Sequence, residues 1–219
     1  MTRLLRPLGL AVLVAAFLSQ PALLRAEGDR TGEFDYFVLA LSWSPSWCAL
    51  EGDERQSEQC DPRRDLGFTL HGLWPQHEDG WPSFCRTTAR DPSRNETAAM
   101  ADIMGTGGLA WYQWKKHGRC SGLAASAYFD TARRAYDAVV MPDVFERLHR
   151  EVRLPASVVE EAFLEANPGL SANGITVICE AGRIQEVRLC LTKELRPRDC
   201  GADVLRDCRL QDAMMPAVR

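Results

Sequence analysis

Leu66-Gly-Phe-Thr-Leu-His71, continuing as Gly72-Leu-Trp-Pro-Gln76, alternates in character over its first six residues. Leu66, Phe68 and Leu70 point one way and Gly67, Thr69 and His71 the other, the period of a strand with one buried face. This predicts a strand that ends at His71, just before Gly72, with the histidine on the face away from the apolar one. Upstream, Phe34 to Trp43 (FDYFVLALSW) is apolar enough for a buried strand, stopped by Ser44-Pro45-Ser46. The charged stretch Glu51 to Arg64 and the polar one from His77 to Asn95 read as loops. Leu109 to His117 is predicted as a short helix with Gly118 as its stop. Ser126 to Val140 and Ser157 to Ala166 read as amphipathic helices, the second with Ser157 and Glu160 spaced as a capping box. Ile175 to Cys179 and Ile184 to Leu191 form a predicted hairpin around Ala181-Gly182-Arg183. Strands and helices mix without a regular βαβ rhythm, internal repeat or low-complexity linker. The expected fold is therefore α+β, a central antiparallel sheet flanked by helices.

The first 26 residues have the order of a secretory signal peptide: Arg3 and Arg6, the apolar run Leu8 to Leu18, then small residues. That run is shorter than the ~20 residues a membrane span needs, and no later segment is apolar for long enough. Ala26 is the expected cleavage position, with Ala22 as a second candidate. Residues 27–219 are long enough for one domain with a real core. The chain carries a net −4, and its leader holds Arg3, Arg6 and Arg25 without any acid, so the remainder carries −7. An acidic protein binds nucleic acid poorly through bulk charge, so affinity for RNA would have to be local. Eight cysteines on an exported chain read as a disulfide framework. Zinc is disfavoured because no pair has CxxC spacing. Sequence alone leaves 105 pairings open.

In WYQWKKHGRC, Gln113, Lys116 and His117 stand at i, i+3 and i+4 of a helix and share one face. A fixed cation, an amide donor and an imidazole that exchanges a proton near neutrality suit a phosphate. Taken alone, a Lys-Lys-His run is more often a solvated helix end, and a lone histidine such as His71 is structural about as often as catalytic.

Two longer matches add to this. Phe68 to Gln76 (FTLHGLWPQ) resembles the first active-site motif of the ribonuclease T2 family, and Trp111 to Cys120 resembles its second. Val38 to Cys48 is similar to the family's opening strand, and ICEAGRIQEVRLCLT to its closing hairpin. The resemblance implies an endoribonuclease for single-stranded RNA that makes a 2′,3′-cyclic phosphate and then a 3′-phosphate, without metal or cofactor. In it His117 would be the general base, His71 the general acid, and Lys116 the stabiliser of the phosphorane. DNA, lacking the 2′-hydroxyl, would not be cut. Trp74 would offer a face to a base or back the site as a core residue, and Tyr112 would contact substrate. The family's second motif commonly begins His-Glu, where this chain has Tyr112 and Gln113. Gln113 can still donate to a phosphate oxygen but carries no charge. Arg119, where a small residue is usual, would add phosphate affinity or face solvent. The family pattern further implies Cys48–Cys60, Cys85–Cys120, Cys179–Cys208 and Cys190–Cys200. The expectation is a monomer in the periplasm or outside the cell, free of the membrane once the leader is removed. Competing readings are an exported RNA- or phosphate-binding protein without catalysis, and a metal-dependent phosphoesterase using His71 and His77.

Overall fold

The computed structural model describes residues 29–218, so the predicted leader lies outside the described residues. Six strands form one sheet: β1 (Tyr36–Trp43), β2 (Phe68–Gln76), β3 (Val152–Leu154), β4 (Ile175–Glu180), β5 (Arg183–Leu191) and β6 (Ala213–Met215). Their order is β2-β1-β5-β6-β3, with β4 on β5. The pairs are antiparallel except β5 with β6, which meet in parallel at Arg183 and Met214. Seven α-helices accompany it among the described residues: α1 (Ser44–Trp47), α2 (Arg94–Ala98), α3 (Ala101–Met104), α4 (Gly107–Lys116), α5 (Ala125–Asp137), α6 (Asp143–Glu146) and α7 (Ala156–Ala166). The α+β expectation is met.

Alternation along β1 divides the sheet into two faces. Phe37, Leu39, Leu41 and Trp43 join Trp114, Tyr128, Phe129 and Phe163 from the helices in the main core. Tyr36, Val38 and Ala40 sit on the opposite face with Trp74, Cys190 and Val204. Trp74, one of the candidate site residues, lies on that second face.

The structure corrects several local expectations. β2 does not end at His71 but runs on to Gln76. Leu41 pairs with Leu70 and Ala40 with Gly72, which leaves His71 as the extra residue of a bulge. A bulge reverses alternation, so Leu73 returns to the main core and Trp74 shares the outer face with His71. In the hairpin the turn is Ala181-Gly182 alone, both at positive φ, with Glu180 paired to Arg183. The capping box at Ser157 and Glu160 does not form. Its helix starts one residue earlier, after Pro155, which leaves Ser157 inside the first turn. A capping box does form at Ser93 and Glu96, opening α2. Gly118 does not stop α4 by its backbone. It opens a 3₁₀ turn (Gly118–Ser121) where a Cβ would strike Trp114 and Tyr128, and the left-handed stop falls at Gly122. The four disulfides are Cys48–Cys60, Cys85–Cys120, Cys179–Cys208 and Cys190–Cys200, the pairing implied by the resemblance.

Candidate active site

α4 supplies one side of the site. Thr106 caps its start by accepting from the Leu109 amide, and Lys115 and Lys116 oppose the negative end of its dipole. The helix closes at His117, whose amide bonds the Gln113 carbonyl. Gln113 and His117 are buried on the sheet side, Lys116 is half-buried, and Trp111 and Tyr112 are exposed. Trp114 enters the core and donates to Asp91 at 2.8 Å. Arg119 grips that same carboxylate through two nitrogens, so it anchors the 77–93 loop instead of meeting phosphate or solvent freely. The Cys85–Cys120 disulfide and the bond from the Phe84 amide to the Lys116 carbonyl tie the same loop beside the helix end.

β2 supplies the other side. Trp74 lies between the histidines, edge-on to His71 at 5.2 Å and stacked on His117 at 5.2 Å. Its indole N–H donates to Gln113 Oε1 at 2.8 Å. An indole N–H can only donate, so the Gln113 oxygen must face it, and Nε2 is left for another acceptor. This contact requires Gly72, because a Cβ there would lie 2.4 Å from both Gln113 Oε1 and Trp74 Nε1. With 9% exposure and the Arg188 guanidinium 5.2 Å from its centroid, Trp74 offers a base little free face. Tyr112 is the more open aromatic, with Lys116 Nζ 6.0 Å from its ring.

The two histidines differ in surroundings. His117 is 4% exposed and its Nδ1 has no hydrogen-bond partner among the described residues. Burial, then the neighbouring Lys116 and His71 charges, lowers its pKa to about 3, which keeps it neutral. His71, with 35% of its side chain exposed, donates Nδ1–H to Glu186 Oε2 at 2.5 Å. Arg188 Nε donates to the other oxygen of Glu186 at 2.7 Å. Burial would raise the Glu186 carboxyl, but His71 and Arg188 outweigh it and leave its pKa lowered. Nothing in the sequence reading singled out Glu186 or Arg188. The available signal was the Glu186-Val187-Arg188 spacing, which sets two charged side chains on the face of β5 opposite the core residue Val187.

Two cavities meet at His71, Tyr112 and Arg188. One of about 290 Å³ includes Trp74, Gln113, Lys116 and His117 in its wall. The other, about 760 Å³, opens past Ser42, Thr69 and Glu186. His77 pairs loosely with Asp35 and lines neither. Among the described residues, the three side chains close enough to share an ion are Cys48, Asp53 and Cys60, and their two sulfurs are joined in a disulfide. No helix among the described residues is long and apolar enough to cross a membrane.

A family model described as the ribonuclease T2 family matches residues 34–200, which include both histidine segments. A ribonuclease of Aeromonas hydrophila is 41% identical over 123 residues, 56% of this chain and 53% of that protein. Ribonuclease S-2 of Antirrhinum hispanicum is 30% identical over 179 residues, 73% of each chain. The chain spans about half the length of the Aeromonas relative. Among solved structures, an RNase-related protein from Calystegia sepium superposes with a TM-score of 0.67 at 22% identity, covering 85% of this chain and 99% of that one. That likeness shows a shared fold, and with the match over residues 34–200 it establishes that this chain belongs to the ribonuclease T2 family.

Proposed function

We propose that the protein is an endoribonuclease that cleaves single-stranded RNA by transphosphorylation, using His117 and His71 and no metal. The observation that carries this reading is the unequal setting of two histidines on either side of Trp74. One is buried and neutral, and the other is hydrogen-bonded to a buried carboxylate. A base and an acid are what cleavage by an internal hydroxyl requires.

In this mechanism neutral His117 accepts the proton of the ribose 2′-hydroxyl as that oxygen attacks phosphorus. His71 gives a proton to the departing 5′-oxygen. The products are a 2′,3′-cyclic phosphate, later opened to a 3′-phosphate, and a free 5′-hydroxyl. Lys116 and the Gln113 Nε2–H group face the charge that builds on the non-bridging oxygens. Burial is the first cause of the low proton affinity of His117 and Lys116 the second, and a phosphodiester seated beside Lys116 would offset the second of these. Tyr112, on the rim of both cavities, is the aromatic best placed to stack on a base. Eight cysteines in four disulfides support an oxidising destination, secreted or periplasmic.

The test is digestion of defined single-stranded RNA in excess EDTA, with the products identified by ³¹P NMR. The expected result is a cyclic phosphate that appears first and decays to a 3′-phosphate, with the matching DNA left intact. Bound but uncut RNA would favour a binding protein. Cleavage only on adding a divalent ion would favour a metal phosphoesterase. Either result rejects the proposal.

A further inference from the structure

We infer that Glu186, braced by Arg188, is the positioning residue for His71, holding its imidazole with Nδ1–H toward the protein and Nε2 toward the leaving oxygen. The inference rests on the reading of His71 as the general acid. Three features of the chain carry it.

The first is where the carboxylate sits. Beside the other histidine stands Gln113, an uncharged side chain whose oxygen is engaged by Trp74. Of the carboxylates that line the two cavities, Glu51, Glu180, Glu186 and Asp203, Glu186 alone is buried, at 4% exposure. Burying a charge is costly unless it is paired and hydrogen-bonded. Glu186 is paired twice, to His71 and to Arg188.

The second is how the two residues meet. β2 and β5 are not neighbours, because β1 lies between them. At a strand spacing of about 4.8 Å they run roughly 10 Å apart. Across that gap β1 presents Ala40 and Ser42 on the outer face, opposite Arg188 and Glu186. Small side chains there let the imidazole and carboxylate close over the central strand. Two bulges complete the arrangement: His71 is the extra residue of β2, and Gln185 is the extra residue of β5, between the pairs Ile178–Glu186 and Cys179–Ile184. Bulges re-aim side chains, and these two serve the same contact.

The third is the bracing itself. Arg188 bonds Glu186 at 2.7 Å and lies against Trp74, which touches both histidines. The charged or titratable groups around His71 are thus Glu186 and Arg188 from β5 and Lys116 and His117 from the end of α4. Tyr112 lines both cavities with His71, Asp203 lines the smaller one, and Glu51, Arg55 and Glu180 line the larger.

The experiment compares Glu186→Gln with the parent on a dinucleotide and on a uridine 3′-aryl phosphate, whose leaving group needs no proton. On the dinucleotide kcat should fall about 10- to 100-fold with KM nearly unchanged, a fraction of the total general-acid contribution. The alkaline limb of the pH–rate profile should move about one unit lower as the imidazolium loses its counter-charge. On the aryl ester the loss should be several-fold smaller. In the parent, ¹⁵N spectra should place the proton of neutral His71 on Nδ1. An unmoved alkaline limb, equal losses on both substrates, or a parent His71 with its proton on Nε2 would each overturn the inference. The ¹⁵N result stands even if the variant does not fold. A parent that cuts neither substrate refutes the proposed function instead, and the His71 tautomer then still decides the role of Glu186.

Discussion

His117 carries a measurable cost in stability. The folded protein keeps this imidazole neutral down to about pH 3, whereas the unfolded chain takes up a proton below roughly pH 6.5. Its contribution is therefore flat above pH 6.5 and is lost as pH falls toward 3, by at most about 1.4 kcal/mol per pH unit. Glu186, with its lowered pKa, adds a further loss that begins as pH falls through the ordinary glutamate value and continues down through its own. Urea titrations should show stability falling by up to about 2 kcal/mol between pH 6.5 and 5. His117→Phe should flatten that slope, and an equal slope in both proteins would refute the assignment. At this scale the sequence was a good guide to the ends of the site. His71, Gln113, Lys116 and His117 come together as their motifs imply. Glu186 was not visible, because its partner lies 115 residues away and a charged residue in a strand usually faces water.

The bulge in β2 is what converts an ordinary strand into half of a site. Alternation through Leu66 to His71 was readable, but the bulge depends on how β1 pairs, which no local pattern encodes. The same limit explains the missed β3 and β6, three residues each, too short for a period to emerge. Gly72 follows the bulge, and its lack of a side chain admits the Trp74–Gln113 hydrogen bond. Gly72→Ala should lower stability by about 1–3 kcal/mol through overpacking. It should also reduce kcat by displacing Trp74 from between the histidines. Denaturant midpoints together with kcat on a dinucleotide check both parts, and a variant equal to the parent in each would show that the contact is dispensable.

Taken whole, the molecule sets one sheet face to build a core and the other to hold chemistry. Of the four disulfides, Cys190–Cys200 lies on that second face and Cys179–Cys208 against the main core, and the Cys85–Cys120 bridge beside the end of α4 is worth roughly 2–4 kcal/mol if unstrained. Residues 27–219 carry a net charge of −7, and Lys116 and Arg188 are the lysine and arginine of the smaller cavity, so RNA bound there would meet few cations. Log KM for oligonucleotides should therefore rise with log salt at a slope of only about 1–2, at ~0.7 per phosphate contact on a single strand. A slope of 5 or more would reveal phosphate contacts well beyond these two residues. The most direct test of the central claim is the single-turnover rate of His71→Ala and His117→Ala on one dinucleotide in EDTA at pH 6. Each substitution should lower the rate by roughly 10²–10⁴-fold, the range of a general acid or base. A tenfold loss or less for either variant would contradict a mechanism built on both histidines.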